Sequence, residues 1–443
     1  MTIEEAERTR QPGPATGWAA LRPMLLRLHF YAGVLVGPFL LVAALTGLLY
    51  VFTPQLEQHF YAHELHVPAS SQSQPLAEQV RVATSALPAE ELEAVRPAPS
   101  PTDTTQVIFE DPENRASYFR TVFVDPHTAE VRGVLETYGS GQALPLRTFF
   151  DQLHRNLNLG DPGRVYSELA ASWLWVVVLG GLVLWVTRRR SRIAAMFKPQ
   201  VRGSRRRRVL SWHGSVGLWI ALGLLFLSAT GLTWSTYAGA NIGELRSALA
   251  WETPSVSTDL PRPAAGDVGM DRVLAAADAH GLSGPVEITP PGDGSAYRVQ
   301  EIGRSWPTQQ DAVAVHPGSG EITASLPFAD QPLVAKLSRW GIDAHMGLLF
   351  GWVNQLVLVV MAVALICMIV WGYRMWWLRR PTRGFGKSPE RGAWRRVPNR
   401  ILVPIGIAAL GIAYALPVFG VSLLIFLVVD SALGAISRRR AAA

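Results

Sequence analysis

The sequence predicts a polytopic α-helical membrane protein with polar domains between its spans, and three observations support this fold class. First, 49% of the 443 residues are hydrophobic and 17% are charged, a balance too apolar for a soluble protein and too charged for a chain wholly in lipid. Second, long apolar runs recur along the chain. Third, clusters of Arg and Lys follow two of these runs directly, as in membrane proteins rather than nucleic-acid-binding proteins.

Four apolar runs are long enough, or nearly so, to cross a bilayer core, which takes about 20 helical residues. They comprise residues 30–53, 170–187, 214–236 and 349–373. A fifth run, residues 401–430, contains Pro404 and Pro417. It is either one kinked helix or a hairpin of two helices. We favour the hairpin because it returns the arginines at 438–440 to the side of the membrane where cations are favoured.

The charge distribution predicts the orientation of the spans. Residues 188–208 hold ten Lys and Arg, and residues 379–400 hold eight, so both loops should be cytoplasmic. The expected order is an N-terminal cytoplasmic tail (1–24), helix one (25–56), a first extracytoplasmic domain (57–168), helix two (169–188), a basic loop (189–211), helix three (212–237), a second extracytoplasmic domain (238–343), helix four (344–378), a second basic loop (379–400) and a C-terminal hairpin or helix (401–436).

Composition also excludes several classes of redox and transport protein. Cys367 is the single cysteine, so the chain has no intrachain disulfide, no thiolate iron–sulfur site and no covalent c-type haem attachment. It contains no dinucleotide-binding glycine motif and no phosphate-binding P-loop sequence. The sequence therefore argues against a self-contained NADPH reductase and against an ATP-driven pump.

The two extracytoplasmic segments read as small α+β domains. In each, a stretch with helical spacing (76–87 and 270–280) precedes alternating stretches typical of strands. Each also contains a similar strand–turn–strand sequence, at residues 122–131 and 312–322. Asp-Pro in the first and His-Pro in the second begin the tight turns.

An internal repeat of about 190 residues organises the chain. The interval from His29 to Thr46 is 17 residues, and so is the interval from His213 to Thr230. His154 and His345 each precede an Arg pair by 34 residues. The chain thus contains two copies of a helix–outer domain–helix unit in the same orientation, which predicts a four-helix core with a pseudo-two-fold axis along the membrane normal.

The repeat places four histidines in two symmetry-related pairs. His29 and His213 lie at the cytoplasmic ends of helices one and three, and His154 and His345 lie at the outer ends of helices two and four. Two neutral imidazoles on opposite faces of a porphyrin give a low-spin b-type haem suited to electron transfer. Gly33 and Gly217, each four residues after a histidine, would leave room for the flat macrocycle. Small residues at this spacing also suit close packing of membrane helices.

The other candidate ligands are weaker. His59, His63 and His66 follow helix one at helical spacing, near Glu57 and Glu64. We interpret them as a polar helix end rather than as a metal site.

These motifs resemble the PepSY-associated transmembrane family, and within it the ferric-siderophore reductases of bacterial inner membranes. The resemblance covers about residues 20–385 and rests on His29-x-x-x-Gly33 with Thr46-Gly47, the hairpin at 124–131, the Leu153-His154 element and their second copies. The hairpin has Thr-Ala-Glu where the family more often has Thr-Gly-Glu. The run after Arg400 is an addition that shorter family members lack.

The resemblance implies two PepSY-like extracytoplasmic domains and two bis-histidine b-type haems bound by His29, His213, His154 and His345. It implies an oxidoreductase of the bacterial cytoplasmic membrane that reduces a ferric siderophore and releases iron(II). The electron donor would be cytoplasmic or a quinol. The sequence leaves open which siderophore is used, whether one or two haems bind, which histidines pair and the oligomeric state.

Two other functions fit parts of the sequence. A transporter of a metal or siderophore would need interrupted helices with polar residues at mid-membrane. A non-enzymatic membrane regulator built on the outer domains would not need four paired histidines. Neither alternative, nor the reductase, predicts a nucleic-acid partner.

Overall fold

A computed structural model describes residues 17–189, 193–379, 389 and 391–442 of the chain. These residues form two compact units. The helical unit comprises residues up to Leu48, His154–Arg246 and Val359 onwards, and the sheet unit comprises Leu49–Leu153 and Ser247–Leu358. The helical unit contains the long apolar helices, and the sheet unit contains all eight strands of the described residues.

The helical unit is built from long apolar helices with short helices between them. The long helices are α1 (Trp18–Leu35), α2 (Gly37–Val51), α7 (Asp161–Arg189), α9 (Arg205–Thr233), α13 (Gly351–Trp377), α14 (Asn399–Ala415) and α15 (Pro417–Ala442), with short α8 (Ala194–Phe197) and α10 (Tyr237–Ala248) between them. Four helices are long and apolar enough to cross a membrane, namely α7, α9, α13 and α15. The chain is therefore a multi-pass membrane protein.

The first apolar run is bent rather than straight, because α1 and α2 meet at an angle of 55°. Pro38 lacks the N–H group that would bond to the carbonyl of Val34 one turn earlier. The hydroxyl of Tyr373 on α13 donates to that carbonyl instead, at 2.7 Å. A Cβ at Gly37 would lie 3.2 Å from the same hydroxyl oxygen. Glycine and proline together therefore produce the bend, and Tyr373 satisfies the carbonyl group that it exposes.

The C-terminal run forms two helices, α14 and α15, which are separated at Leu416. Helix α15 packs on the rest of the helical unit through charged and polar contacts. The guanidinium of Arg27 on α1 pairs with the carboxylate of Asp430, and both groups are largely buried. Trp173 Nε1 donates to the hydroxyl of Ser422 at 2.8 Å. The two contacts attach α15 to α1 and α7.

The sheet unit contains one antiparallel sheet of eight strands in the order β4-β3-β2-β1-β5-β6-β7-β8. The strands are β1 (Leu92–Arg96), β2 (Thr105–Glu110), β3 (Tyr118–Val124), β4 (Val131–Tyr138), β5 (Val286–Thr289), β6 (Tyr297–Glu301), β7 (Ala312–Val315) and β8 (Ile322–Leu326). The helices of this unit are α3 (Thr53–Phe60), α4 (Ala62–Leu65), α5 (Leu76–Ala86), α6 (Pro145–Asn156), α11 (Met270–His280) and α12 (Leu333–His345).

The two predicted α+β segments share one sheet and one core. Strand β1 of the first copy pairs with β5 of the second, with Val95 opposite Ile288. Helices α5 and α11 contribute to a single hydrophobic cluster with both halves of the sheet. The carboxylate of Asp271, at the start of α11, accepts the backbone N–H groups of Leu76 and Ala77 at the start of α5. The second copy thus caps a helix of the first.

The predicted strand–turn–strand sequences are confirmed, because Val124 pairs with Val131 and Val315 pairs with Ile322. The fifth turn position, counted from Asp125 and His316, has a positive φ in both copies, 57° at Ala129 and 74° at Gly320. This left-handed conformation suits glycine and costs an L-residue roughly 1–2 kcal/mol. Ala129 is the residue at which this chain departs from Thr-Gly-Glu, and the turn is strained there.

Replacing Ala129 with glycine should therefore stabilise the protein. We expect Ala129→Gly to raise the free energy of unfolding by about 1 kcal/mol, after allowing for the extra freedom of glycine in the unfolded chain. Denaturant unfolding of the full chain in detergent measures the change. The matched variant Gly320→Ala should lower stability, since alanine there has the unfavourable φ and a Cβ 3.3 Å from Arg272 Cγ. Equal stability of Ala129→Gly and the parent would contradict the strain at this turn.

Candidate functional site

The helical unit brings two of the four predicted histidines together. His29 lies on α1 and His213 lies on α9. The centres of their imidazole rings are 6.3 Å apart, and the ring planes make an angle of 77°. This is the pairing across the repeat that the sequence analysis proposed for helices one and three.

Each of these imidazoles is held by a backbone carbonyl of another helix. Nδ1 of His29 lies 3.0 Å from the carbonyl oxygen of Val177, and Nδ1 of His213 lies 3.0 Å from that of Met368. A carbonyl can only accept, so Nδ1 carries the proton in both rings and Nε2 has a free lone pair. A second hydrogen bond of this kind orients metal-ligating histidines and fixes their tautomer.

The spacing of the two rings suits two ligands of one metal. A metal–imidazole bond is about 2 Å long, and the ring centre lies about 1 Å behind the ligating nitrogen. Two imidazoles on opposite sides of a metal therefore have centres about 6 Å apart. The distance of 6.3 Å between the ring centres of His29 and His213 agrees with this value. These residues fit a bis-histidine haem, and both nitrogens that would bind iron are of the right tautomer.

The glycines near the pair have different roles. A Cβ built on Gly33 meets nothing within 4 Å, so this face of α1 is open beside His29. A Cβ on Gly217 would lie 2.8 Å from the Met368 methyl group, so Gly217 makes room for a packed side chain instead. The role predicted for Gly33 stays a prediction, whereas Gly217 makes room for the Met368 side chain.

Two further glycines were missed by the sequence analysis. A Cβ on Gly181 would lie 3.0 Å from His29 Cε1, and one on Gly372 would lie 3.9 Å from His213 Cε1. Gly181 follows Val177 by four residues, and Gly372 follows Met368 by four. One helical turn in each copy therefore supplies both the carbonyl and the space for the ring. The signal was present in the sequence, because both glycines lie 27 residues after His154 or His345.

His154 carries its proton on Nδ1, as His29 and His213 do, but its partner is a side-chain hydroxyl instead of a backbone carbonyl. The Thr46 hydroxyl donates to the carbonyl of Val42 at 2.9 Å, and Nδ1 of His154 lies 3.0 Å from the same hydroxyl oxygen. That oxygen accepts from Nδ1–H, which leaves Nε2 unprotonated. Burial lowers the pKa of His154 to about 4, so the imidazole is neutral at pH 7. Thr46, predicted only as a repeat marker, is a partner of this histidine.

His345 is the last residue of α12 in the sheet unit. The amide of Asn354 donates to the carbonyl of Ala344 at 2.9 Å and closes the end of that helix. The predicted pairing of His154 with His345 stays a prediction.

The weaker metal candidates have other partners. Arg132 donates to Nδ1 of His63, and His66 contacts Asp103 and Gln58. Among the described residues, no group of three or more His, Cys, Asp and Glu side chains is placed to hold a metal ion.

Buried carboxylates anchor both histidine-bearing helices, and the sequence analysis did not assign them this role. Glu57 on α3 accepts the backbone N–H of Leu144 at 2.8 Å and pairs with Arg147 on α6 at 3.4 Å. In the second copy, Asp343 on α12 is fully buried and lies 3.9 Å from Nε of Arg304, outside the helix, and 2.9 Å from Nε of Arg339 on the same helix. Burial raises the pKa of both carboxyl groups above their ordinary values, against the opposing effect of the arginines.

A family model described as the PepSY-associated TM region matches residues 26–379, which is more than half of the 443-residue chain. The match includes all four histidines and ends before α14 and α15. No curated protein matches the chain.

The raised pKa of Glu57 predicts a pH dependence of stability. The folded state binds this proton more tightly than the unfolded state, in which the pKa is near the ordinary 4.5. The stabilisation from Glu57 is therefore complete below that value and is lost as the pH rises through the folded pKa. We expect Glu57→Gln to flatten the decline of melting temperature between about pH 4 and about pH 8.

Glu78→Gln is the control for this experiment. Glu78 is exposed, and hydrogen bonding to Arg81 lowers its pKa, so its small contribution has the opposite sign. A parallel pH profile for Glu57→Gln and the parent would show that burial of Glu57 does not set this dependence.

Proposed function

The chain belongs to the PepSY-associated transmembrane family, and we propose that it is a haem-containing electron-transfer protein of the membrane. One observation carries the proposal. His29 and His213 lie with ring centres 6.3 Å apart, and each donates Nδ1–H to a carbonyl so that Nε2 is free to bind iron. A structural histidine pair has no need of that spacing together with that tautomer in both rings.

The protein's own groups prepare a rigid ligand pair. The carbonyls of Val177 and Met368 fix the ring orientations, and the open face at Gly33 leaves room for a flat macrocycle. Apolar side chains of α1, α7 and α9 pack around the helix crossings and exclude water. A b-type haem bound there supplies a reversible one-electron couple.

We extend the assignment to a second haem bound by His154 and His345. The repeat supports this step, since both histidines occupy the same position in their copies. The neutral imidazole of His154, held by Thr46, has the tautomer that ligation needs. Two such groups at opposite ends of the helices would form a path for electrons through the membrane.

We further propose that the chain is an oxidoreductase that reduces an extracytoplasmic ferric siderophore. Hard oxygen ligands bind iron(III) far better than iron(II), so a single electron releases the metal. The resemblance to ferric-siderophore reductases supports this substrate class. The charge distribution supports a cytoplasmic N-terminus in the bacterial inner membrane, with a cytoplasmic or quinol electron donor.

The bend between α1 and α2 does not favour a transporter. Broken helices in transporters present unpaired carbonyl groups to a substrate or ion. Here the Tyr373 hydroxyl occupies the carbonyl of Val34, and Leu35, Val36 and Gly37 at the break are apolar. The bend therefore offers no coordination site among the described residues.

The proposal is tested by a reduced-minus-oxidised visible spectrum of the purified protein with haem quantified per chain. We expect about two low-spin b-type haems, and about one in His29→Ala or His213→Ala, since the loss of a histidine that would hold the haem weakens binding. His280→Ala, at the exposed end of α11, is the matched control and should retain both haems. Absence of haem from protein expressed with sufficient haem would exclude this function.

Two glycine variants distinguish a glycine that leaves space for the haem from one that is needed for packing within the protein. We expect Gly33→Ala to keep or raise the stability of haem-free protein, because the added methyl meets nothing and alanine favours the helix by up to about 1 kcal/mol. The same variant should lower haem content. Gly181→Ala should destabilise even the haem-free protein, because its methyl would lie 3.0 Å from His29. Thermal unfolding and haem titration of both variants test this, and full haem content in Gly33→Ala would contradict it.

A further inference from the structure

A cavity of about 440 Å³ lies at one end of the helical unit, where the arginine-rich start of α9 meets the end of α13. Its volume is within the range of small-molecule sites. Seven residues line it, namely Val201, Arg205, Arg208, Val209, Trp212, Trp371 and Arg374. We call it the arginine cavity.

Helical spacing brings these side chains to one place. Arg205, Arg208 and Trp212 lie three and seven residues apart and so share a face of α9. Trp371 and Arg374 lie three residues apart on α13. The two tryptophan rings meet across the cavity, with centres 6.1 Å apart. The backbone N–H of Gln200, in the loop before α9, donates to Oγ of Ser211 on α9 at 2.9 Å.

The charges in the cavity are unbalanced. Three guanidinium groups line it, and no carboxylate does. Over the described ranges, none of the three makes an ion pair with an acidic side chain. Three like charges around one space repel one another, and an anion bound between them removes that repulsion. Arg205 and Arg208 are exposed, whereas the buried Arg27 and the half-buried Arg147 and Arg339 each face a carboxylate.

We propose that the arginine cavity binds a phosphate-bearing anion. The planar fork of arginine matches phosphate oxygens two at a time, and two arginines of α9 and one of α13 can engage them together. The tryptophans and Val209 supply an apolar wall beside the charged end. This combination suits a phosphate attached to an apolar or aromatic group.

Two sources share this chemistry. Basic cavities between membrane helices bind the headgroups of anionic lipids. A soluble phosphorylated molecule presents the same group from the aqueous side. The proposal does not depend on haem, and its test does not use electron transfer.

The arginine run also provides the control. Arg206 and Arg207 belong to the same run of four arginines as Arg205 and Arg208 but do not line the cavity. A general attraction of cations for an anionic membrane would involve all four equally. A built site needs only the two that line it.

The experiment compares full-length parent protein with the double variant Arg205→Gln/Arg208→Gln, the single variant Arg374→Gln and the control Arg206→Gln/Arg207→Gln. Each protein is reconstituted with phosphatidylcholine containing a minority of phosphatidylglycerol, and retained lipid is counted by native mass spectrometry. A second arm uses phosphatidylcholine alone and measures protection against thermal unfolding by inorganic pyrophosphate.

We expect roughly tenfold weaker retention or protection in Arg374→Gln, the effect of one lost charge-assisted bond, a larger loss in Arg205→Gln/Arg208→Gln, which removes two, and no change in the control. Loss in the lipid arm identifies a lipid headgroup, and loss in the pyrophosphate arm identifies a soluble phosphate. Equal loss of retention or protection in the cavity and control variants would show that only the net charge matters and would overturn the proposal. So would the absence of binding by the parent in both arms. Either result leaves the haem assignment untouched.

Discussion

Backbone carbonyls that accept side-chain donors from neighbouring helices hold the helical unit in its observed arrangement. Water is not available to satisfy polar groups between apolar helices, so each donor needs a partner within the protein. The carbonyls of Val177 and Met368 take the two imidazoles, and the carbonyl of Val34 takes the Tyr373 hydroxyl. Each such contact crosses from one helix to another. The orientation of both rings follows from two of these bonds, and the third satisfies the carbonyl that the bend at Gly37 and Pro38 leaves free.

The two copies of the repeated sequence contact each other in different ways in the helical unit and in the sheet unit. In the helical unit, the copies face each other and each contributes one ring of the His29–His213 pair. In the sheet unit, the copies join edge to edge at β1 and β5, so that one strand edge in each half is covered by the other. This pairing removes two exposed edges, which would otherwise invite association with other chains. Asp271 adds a helix cap across the same junction.

Features that depend on the spacing of nearby residues could be predicted from the sequence. The intervals between histidines, threonines and arginine pairs predicted an internal repeat and gave His29 and His213 corresponding positions in it, and the structure brings these two rings together. The turns at 124–131 and 315–322 followed from their residues. Pro38 can also be read from the sequence. The donor to the carbonyl that it leaves free is Tyr373, which lies more than 300 residues further along the chain.

Contacts between segments that are distant along the chain could not be predicted from the sequence. Nothing local marks β1 and β5 as neighbours, since either could have ended a separate four-stranded sheet. Glu57 and Arg147 are ordinary charged residues until folding buries them together. Asp430 lies near the end of an apolar run and has no sequence signal for a partner, yet the structure pairs it with Arg27. Such pairs carry no periodic signal in a single sequence.

The Arg27–Asp430 pair also has a consequence for biosynthesis. The two residues are 403 positions apart, so Arg27 leaves the ribosome long before its partner is made. At about 5–20 residues per second, this delay is about 20–80 s. A guanidinium in an apolar helix bundle is costly without its counter-charge. Helix α1 therefore reaches its final packing only after α15 has been inserted, and a ribosome that stops short of Asp430 leaves an incomplete bundle with an uncompensated charge two residues from His29.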